Sequence, residues 1–146
     1  MSVNAMKGFP AVLPRLRYED LSTAVRWLCE AFGFSEHLRW ANGKGLVQHA
    51  EIRLGDVLVE LSAAHDEYEP PKRFGKLSQS LILLVDDVDD HHARARAAGA
   101  HIITKPADMP WGLRQYTADD LAGHRWEFAQ YMREVPAAEW GAVLME

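Results

Sequence analysis

Apolar residues in the first half of the chain recur every three or four residues in one segment and every second residue in the others. This pattern predicts a single helix between strands. Between residues 21 and 32 the apolar positions are three or four residues apart and share one helical face: Leu21, Val25, Leu28 and Phe32. Asp20 or Ser22 can cap the start of this helix, and Gly33 can end it. Alternation of apolar and polar residues predicts strands over 12–18, 35–41, 46–54 and 57–62. The predicted order is βαβββ.

The second half of the chain repeats the first at an offset of 67 residues. Its predicted elements are a strand, a helix and three more strands, over about 80–86, 88–98, 100–104, 113–118 and 124–130. Glu60 in Val59-Glu60-Leu61 lies 67 residues before Glu127 in Trp126-Glu127-Phe128. Two copies are too few for a repeat array. They predict a duplicated module with a carboxylate near the end of each copy and a paired site.

A charged, proline-rich stretch in the middle of the chain marks the boundary between the copies. Module 1 is predicted over about 10–63, the linker over 64–77, module 2 over about 78–131 and a C-terminal tail over 132–146. The tail is expected to hold a short helix that carries Trp140. A chain of 146 residues has the usual length of one domain, so both modules are expected to form a single domain over 1–146.

Each predicted sheet has one apolar face and one mixed face. The apolar positions, such as Ile52, Leu61 and Phe128, are expected to pack against the helices. The alternate positions carry the candidates for a site: Arg15, Arg17, His49, Glu51, Glu60, Arg114, Tyr116, Arg125 and Glu127. This face is too polar for a dry core and too apolar for a plain solvent face. It predicts a half-open cavity lined by two curved sheets.

Charge and composition narrow the range of partners. The formal net charge of −5 gives no general attraction to nucleic acid or to an anionic membrane surface. No apolar run approaches the roughly 20 residues of a membrane-spanning helix. Cys29 is the single cysteine, so no intrachain disulfide can form, and the cytoplasm is the expected location.

Two stretches of the chain resemble a known superfamily. They are HAEIRLGD at 49–56, and PWGLRQY at 110–116 followed by DDLAGHRWE at 119–127. Together they resemble the vicinal oxygen chelate superfamily, in its glyoxalase and bleomycin-resistance branch, over nearly all of residues 10–131. The resemblance implies an α+β fold in which two tandem βαβββ modules form a curved half-open barrel. It leaves the reaction open, because one fold hosts several chemistries.

The resemblance also implies where a metal would bind. Metal enzymes of this superfamily take ligands from the first and last strands of each module. The last-strand positions match Glu60 and Glu127, and the first-strand positions match Leu13 and Ser80. Leucine has no donor atom and a neutral serine hydroxyl is a poor ligand, so we expect no four-ligand metal site. The alternative is a smaller metal set of His49, Glu60 and Glu127; without it, His49 is expected to hydrogen-bond a ligand or a neighbouring carboxylate.

Aromatic and arginine residues are the candidates for ligand contact. Trp40, Trp111 and Tyr116 offer flat apolar surface at the cavity mouth, or else pack at a dimer interface. Arg17 and Arg114 lie where the family places ligand contacts, and each could pair with an anionic group. The alternative for both arginines is a cross-strand ion pair that keeps the groove soluble.

Two classes of function follow from this pattern. In the first, the protein binds a small aromatic or anionic molecule between the modules, without a cofactor. In the second, it is a lyase, isomerase or dioxygenase in which Glu60 or Glu127 acts as general base. A homodimer is expected in either case, because a two-module chain leaves apolar rims to cover. The modules could pair within one chain or across two.

Overall fold

The computed structural model describes residues 10–145 as two modules with the same order of elements. Residues 1–9 and Glu146, which belong to the predicted domain over 1–146, lie outside the described residues. The elements of module 1 are β1 (Arg15–Tyr18), α1 (Leu21–Phe32), β2 (Ser35–Ala41), β3 (Val47–Leu54) and β4 (Val57–Ala63). The elements of module 2 are β5 (Ser80–Leu84), α2 (Val88–Ala97), β6 (His101–Asp108), β7 (Leu113–Asp119) and β8 (Arg125–Tyr131). Short 3-10 helices cover Pro71–Arg73 in the linker and Ala137–Trp140 in the tail.

Each module forms its own four-stranded mixed sheet. The strand orders are β1-β4-β3-β2 and β5-β8-β7-β6. In both sheets the first strand of the module runs parallel to its last strand, and the other neighbours are antiparallel. The α+β fold with two tandem βαβββ modules is therefore confirmed. No helix in the described part of the chain is long and apolar enough to cross a membrane.

The first helix begins and ends where the sequence indicates. Asp20, rather than Ser22, is the N-cap: its side chain accepts a hydrogen bond from the backbone nitrogen of Thr23 at 3.1 Å. Gly33 takes a left-handed conformation with φ of 81°, which ends the helix. The apolar face of the helix, including Leu28, is buried.

The helix-bearing faces of the two sheets share one hydrophobic core. Phe32, at the end of α1, packs against Phe128 on β8 with ring centroids 4.8 Å apart. Phe34, just before β2, packs against Trp126 on β8 at 5.5 Å. The two helices also contact each other. Because side chains alternate across a strand, the opposite face of each sheet points away from this core. The polar faces of the two modules therefore do not stack on each other within one chain, a point that the sequence left open; only Arg15 and Arg17 of β1 and Ser80 and Arg125 of module 2 line a common cavity.

Polar contacts also join the modules. The carboxylate of Asp120, in the β7–β8 turn, accepts hydrogen bonds from the hydroxyl of Tyr18 at 2.6 Å and from Nε1 of Trp126 at 3.0 Å. On the other side of the core, Nε2 of His91 in α2 lies 2.7 Å from the carbonyl oxygen of Phe32. These contacts tie β1 and α1 of module 1 to module 2, so they set how the two sheets lie relative to each other.

Candidate functional site

The strand register of module 1 collects polar side chains on the face that points away from the core. Glu60 on β4 is paired with Arg15 on β1 and with Glu51 on β3, and His49 is paired with Ser62. Residues that face each other across a ladder share one side of the sheet. We call this surface the Glu60 face; its members are Arg15, Trp40, His49, Glu51, Glu60 and Ser62.

Glu60 is the centre of a cluster on this face. Its side chain is nearly buried and forms an ion pair with Arg15. Nδ1 of His49 lies 3.3 Å from Oε1 of Glu60, and the hydroxyl of Ser62 donates a hydrogen bond to the same oxygen at 3.3 Å. The other imidazole nitrogen of His49 lies 3.7 Å from Glu51. A carboxylate between a guanidinium and an imidazole can accept a proton or orient a polar ligand group.

Trp40 adds flat apolar surface to the Glu60 face. It is paired with His49 across the β2–β3 ladder, so its ring lies on the same side of the sheet. The residue is 57% exposed. An exposed indole beside a polar cluster could stack on a planar ligand, so the role of Trp40 in ligand contact stays a prediction.

Module 2 presents the corresponding surface around Glu127, which we call the Glu127 face. Its members on β5, β7 and β8 are Ser80, Ile82, Leu84, Gln115, Thr117, Arg125 and Glu127. The hydroxyl of Ser80 donates to Oε2 of Glu127 at 3.2 Å. Ile82 and Leu84 are 61% and 63% exposed on this face. Two neighbouring exposed aliphatic side chains on a strand form an apolar patch that another surface can cover.

Trp111 lies beside the Glu127 face. Its Nε1 donates to the side-chain oxygen of Gln115 at 3.3 Å, and its ring packs edge-on against Trp140 with centroids 5.8 Å apart. Gln115 is two residues from Thr117, the register partner of Glu127, so both lie on that face. Trp111 therefore remains a candidate for ligand contact, but on the module opposite to Trp40.

The placement of Arg114 and Tyr116 on the groove face was wrong. Thr117, not Tyr116, is the register partner of Glu127, so Tyr116 points to the helix side. There its hydroxyl lies 2.6 Å from Nδ1 of His91, and its ring is fully buried. Arg114, on the same side of β7, donates to Asp89 at 2.9 Å and to Asp108 at 3.2 Å. These hydrogen bonds raise the pKa of Arg114, and it acts as an ion-pair partner for the start of α2.

Arg17 shares the register of the Glu60 face but its side chain turns toward the linker. It is paired with Ser62 across the β1–β4 ladder. Its guanidinium carbon lies 4.4 Å from the ring centroid of Tyr68, and one of its nitrogens donates to the carbonyl oxygen of Ala63 at 3.3 Å. Arg17 is therefore not part of the Glu60 cluster, but it lines a cavity together with Arg15 of that cluster, and sequence patterns did not indicate this cavity.

Comparison with known proteins places the chain in a superfamily. A model of the Glyoxalase/Bleomycin resistance protein/Dioxygenase superfamily matches residues 10–128. The chain is 31% identical over 140 residues to an uncharacterised protein of Mycobacterium bovis, with 92% of each chain covered. It is 36% identical to TioX from Micromonospora sp. ML1, whose crystal structure matches with a TM-score of 0.69 over 94% of this chain and 100% of TioX. A glyoxalase/bleomycin resistance protein from Streptomyces sp. CB03234 is 25% identical, with a TM-score of 0.64 over 81% and 97% of the two chains.

The chain belongs to the glyoxalase/bleomycin-resistance/dioxygenase superfamily. Enzymes of this superfamily that use a metal need donor atoms at the positions held here by Leu13 and Ser80. Leu13 has none, and the hydroxyl of Ser80 is engaged by Glu127. The residues present therefore do not fit a four-ligand metal site.

The smaller metal set is not assembled within one chain either. Glu127 lies on the polar face of module 2, whereas His49 and Glu60 lie on the polar face of module 1. Among residues 10–145 no three His, Cys, Asp or Glu side chains converge so as to hold a metal ion. We therefore derive no chemistry through a metal for this superfamily member.

Proposed function

We propose that this protein binds a small aromatic or anionic organic molecule on the Glu60 face without a four-ligand metal site. The observation that carries the proposal is the buried carboxylate of Glu60, held by Arg15 and His49 on a face that turns away from the core of its own chain. A buried carboxylate that is held by neighbouring side chains through one oxygen is fixed in place before a ligand arrives. In this proposal Glu60 and His49 orient the polar atoms of the ligand, and Trp40 stacks on its planar part.

We further propose that a homodimer completes the groove. The Glu60 face and the Glu127 face of one chain both turn away from the shared core, so we take the Glu127 face of a second copy as the complementary surface. Exposed Ile82 and Leu84 support this arrangement, because burial against a second copy would remove them from water. Trp111 and Glu127 of the second copy would then lie across the groove from Trp40 and Glu60. A cytoplasmic location is part of the proposal, since Cys29 is the chain's single cysteine.

The mass in solution tests the assembly. Light scattering at micromolar concentration should give twice the chain mass of 16.5 kDa. Leu84→Glu should shift the protein toward the single-chain mass, because it places a charge in the apolar patch of the interface. Leu46→Glu is the matched control, since Leu46 is also exposed but lies in the β2–β3 turn. A wild-type mass of 16.5 kDa would refute the dimer.

A fluorescence screen of aromatic carboxylates, read through the tryptophans, tests binding. For any molecule that binds, Glu60→Gln should weaken affinity by about 10- to 100-fold if Glu60 accepts a ligand hydrogen bond. Trp40→Ala should weaken it as well, because the stacking surface is lost. Arg114→Gln is the control and should leave affinity unchanged, since Arg114 lies on the helix side. Binding that is insensitive to Glu60 and Trp40 would refute the site.

Mixed dimers decide whether two chains share one site. In a dimer of one Glu60→Gln chain and one Glu127→Gln chain, a shared groove leaves one site with both carboxylates and one site with neither. The mixed dimer should therefore bind at one site with wild-type affinity. If each site belonged to a single chain, every site would lack one carboxylate, and no site with wild-type affinity would be present.

The second candidate function is catalysis by Glu60, as a lyase or isomerase acting on a small metabolite. The contact between His49 and Glu60 favours it, because a carboxylate beside an imidazole can take up a proton and pass it on. The expected outcome is turnover that Glu60→Gln abolishes while the ligand still binds. If mass spectrometry recovers the bound molecule unchanged after long incubation, catalysis is refuted and only the binding function remains.

A further inference from the structure

A cavity of about 450 Å³ lies where β1, the linker and the start of module 2 meet. Its wall includes Arg15 and Arg17 from module 1, Tyr68 and Lys76 from the linker, and Arg125 from β8. It differs from the groove between two copies proposed above, because linker residues supply much of its wall; Arg15 of the Glu60 face and Ser80 and Arg125 of the Glu127 face also line it. Its volume lies in the range of small-molecule pockets.

Cationic side chains outnumber carboxylates in the cavity wall, although Glu60 and Asp119 offset two of the cations. Four arginine and lysine side chains line it, against the carboxylates of Glu67 and Glu69. Arg15 is paired with Glu60, and Arg125 is paired with Asp119. In the described part of the chain, no carboxylate oxygen lies within 4 Å of the charged nitrogens of the other two cations, Arg17 and Lys76. Two cations in a concave wall without partners attract an anion.

Arg17 is already fixed in a binding geometry. The ring of Tyr68 holds the face of its guanidinium at 4.4 Å, and the carbonyl oxygen of Ala63 accepts one hydrogen bond from it. Tyr68 itself is held by two backbone hydrogen bonds with His65, at 2.9 and 2.7 Å. The remaining guanidinium donors are free for a ligand, and little side-chain freedom would be lost on binding.

A hydrogen bond in the cavity wall joins the two modules. Nε2 of His124, in module 2, donates to the carbonyl oxygen of Arg17 at 2.8 Å. His124 and Phe74 both line the cavity, and Phe74 is largely exposed. The wall therefore offers free cationic donors from Arg17 and Lys76 and an exposed ring from Phe74.

We propose that this cavity binds a small organic anion, with its carboxylate or phosphate group on Arg17 and Lys76 and its apolar part against Phe74. Guanidinium and ammonium groups bind both oxyanions, so the chemistry of the ligand is an oxyanion attached to an apolar body. The site does not rest on the groove between two copies, because the proposed ligand contacts, Arg17, Lys76 and Phe74, are not members of the Glu60 face or the Glu127 face.

Titration of the full chain with phenyl phosphate and with benzoate tests the site. Amide NMR shifts should change and saturate at residues 15–17, 67–80 and 124–125, at constant ionic strength. Arg17→Gln and Lys76→Gln should each weaken binding by about 10-fold or more. Tighter binding of phenyl phosphate would identify a phosphate ligand, and tighter binding of benzoate a carboxylate ligand; either supports the proposal.

Two controls separate this site from its alternatives. Arg39→Gln removes the same charge from an exposed arginine paired with Glu36 on β2, and it should leave binding unchanged. Trp40→Ala should also leave it unchanged, so failure of the groove proposal and failure of this one can be told apart. Lys76→Gln removes no ion pair among the described residues, so its effect cannot be assigned to a loosened linker. No saturable shift with either probe, or an equal loss in Arg39→Gln, would overturn the proposal.

Discussion

Replacement of Asp120 by alanine should loosen the contact between the modules. Asp120 is only 7% exposed, and its carboxylate accepts four hydrogen bonds. Two donors are side chains, the hydroxyl of Tyr18 at 2.6 Å and Nε1 of Trp126 at 3.0 Å. The other two are the backbone nitrogens of Ala122 at 2.9 Å and His124 at 3.0 Å, in the turn itself. Burial, and then the nearby carboxylate, raise the pKa of Tyr18, so its hydroxyl keeps its proton and remains a donor at neutral pH.

The two side-chain donors determine the size of the effect. Tyr18 and Trp126 are buried, so alanine at position 120 would leave both without a partner and out of reach of water. A hydrogen bond to a charged group contributes about 1.5–3 kcal/mol, so the two losses together are about 3–5 kcal/mol after some relaxation. Domains of this kind are stable by about 5–15 kcal/mol in total. The variant should therefore fold but unfold at a much lower denaturant concentration.

Urea unfolding followed by circular dichroism measures this loss. Tyr18→Phe removes a single hydrogen bond without a change of shape and should lower the free energy of unfolding by about 1.5–3 kcal/mol. Tyr131→Phe is the matched control, because Tyr131 is 62% exposed, and it should change stability by less than about 0.5 kcal/mol. A loss below about 1 kcal/mol in Asp120→Ala would refute the reasoning. The reasoning would also fail if the losses of Asp120→Ala and Tyr18→Phe simply added in the double variant that carries both. Residues in direct contact are expected to show coupling instead.

Two further predictions concern the backbone near Trp111 and the pH dependence of folding. Gly112→Ala should destabilise the protein by about 1–3 kcal/mol in thermal melts, because Gly112 has φ of 94° and an added Cβ would lie within van der Waals overlap of the Arg133 carbonyl oxygen. Gly141→Ala, with φ of 87° but no atom within 4 Å, isolates the strain alone and should cost less. Burial lowers the pKa of His91 in the folded chain, so the unfolded chain binds the proton more strongly. The free energy of unfolding that is linked to His91 is complete above about pH 6.5 and is lost as the pH falls below that value. Urea midpoints measured above and below about pH 6.5 should therefore differ less in His91→Gln than in the wild type.

The fold and the two carboxylates could be predicted because the last strand of each module has strong alternation. Val59 and Leu61 flank Glu60, and Trp126 and Phe128 flank Glu127. Large apolar side chains on both sides leave a single choice of face for the glutamate, since the apolar face must meet the helix. The register of the structure agrees, as Glu60 and Glu127 both point away from the core.

The face of the sheet on which each β7 side chain lies was harder to predict. Arg114 and Tyr116 look like groove residues by type, and a tyrosine is suited to either face. The pattern that decides the matter is the polar set on the other side, Gln115, Thr117 and Asp119, which pairs with the polar side of β8. The position of the Arg17 side chain could not be predicted for a different reason. Its contact with Tyr68 depends on the path of the linker, which strand periodicity does not describe.

The packing of one module against the other could not be predicted from the sequence. A repeat predicts two similar units and a pseudo-twofold relation, but either face of each unit could meet the other. In this chain the apolar faces meet, through Phe32 and Phe128, and the buried contact of Asp120 fixes the angle. The same contact therefore sets the direction in which each polar face is offered to a second copy. Loss of ligand binding in an Asp120 variant would then reflect the geometry of the dimer rather than a ligand contact, and restoration of binding at high protein concentration would separate the two.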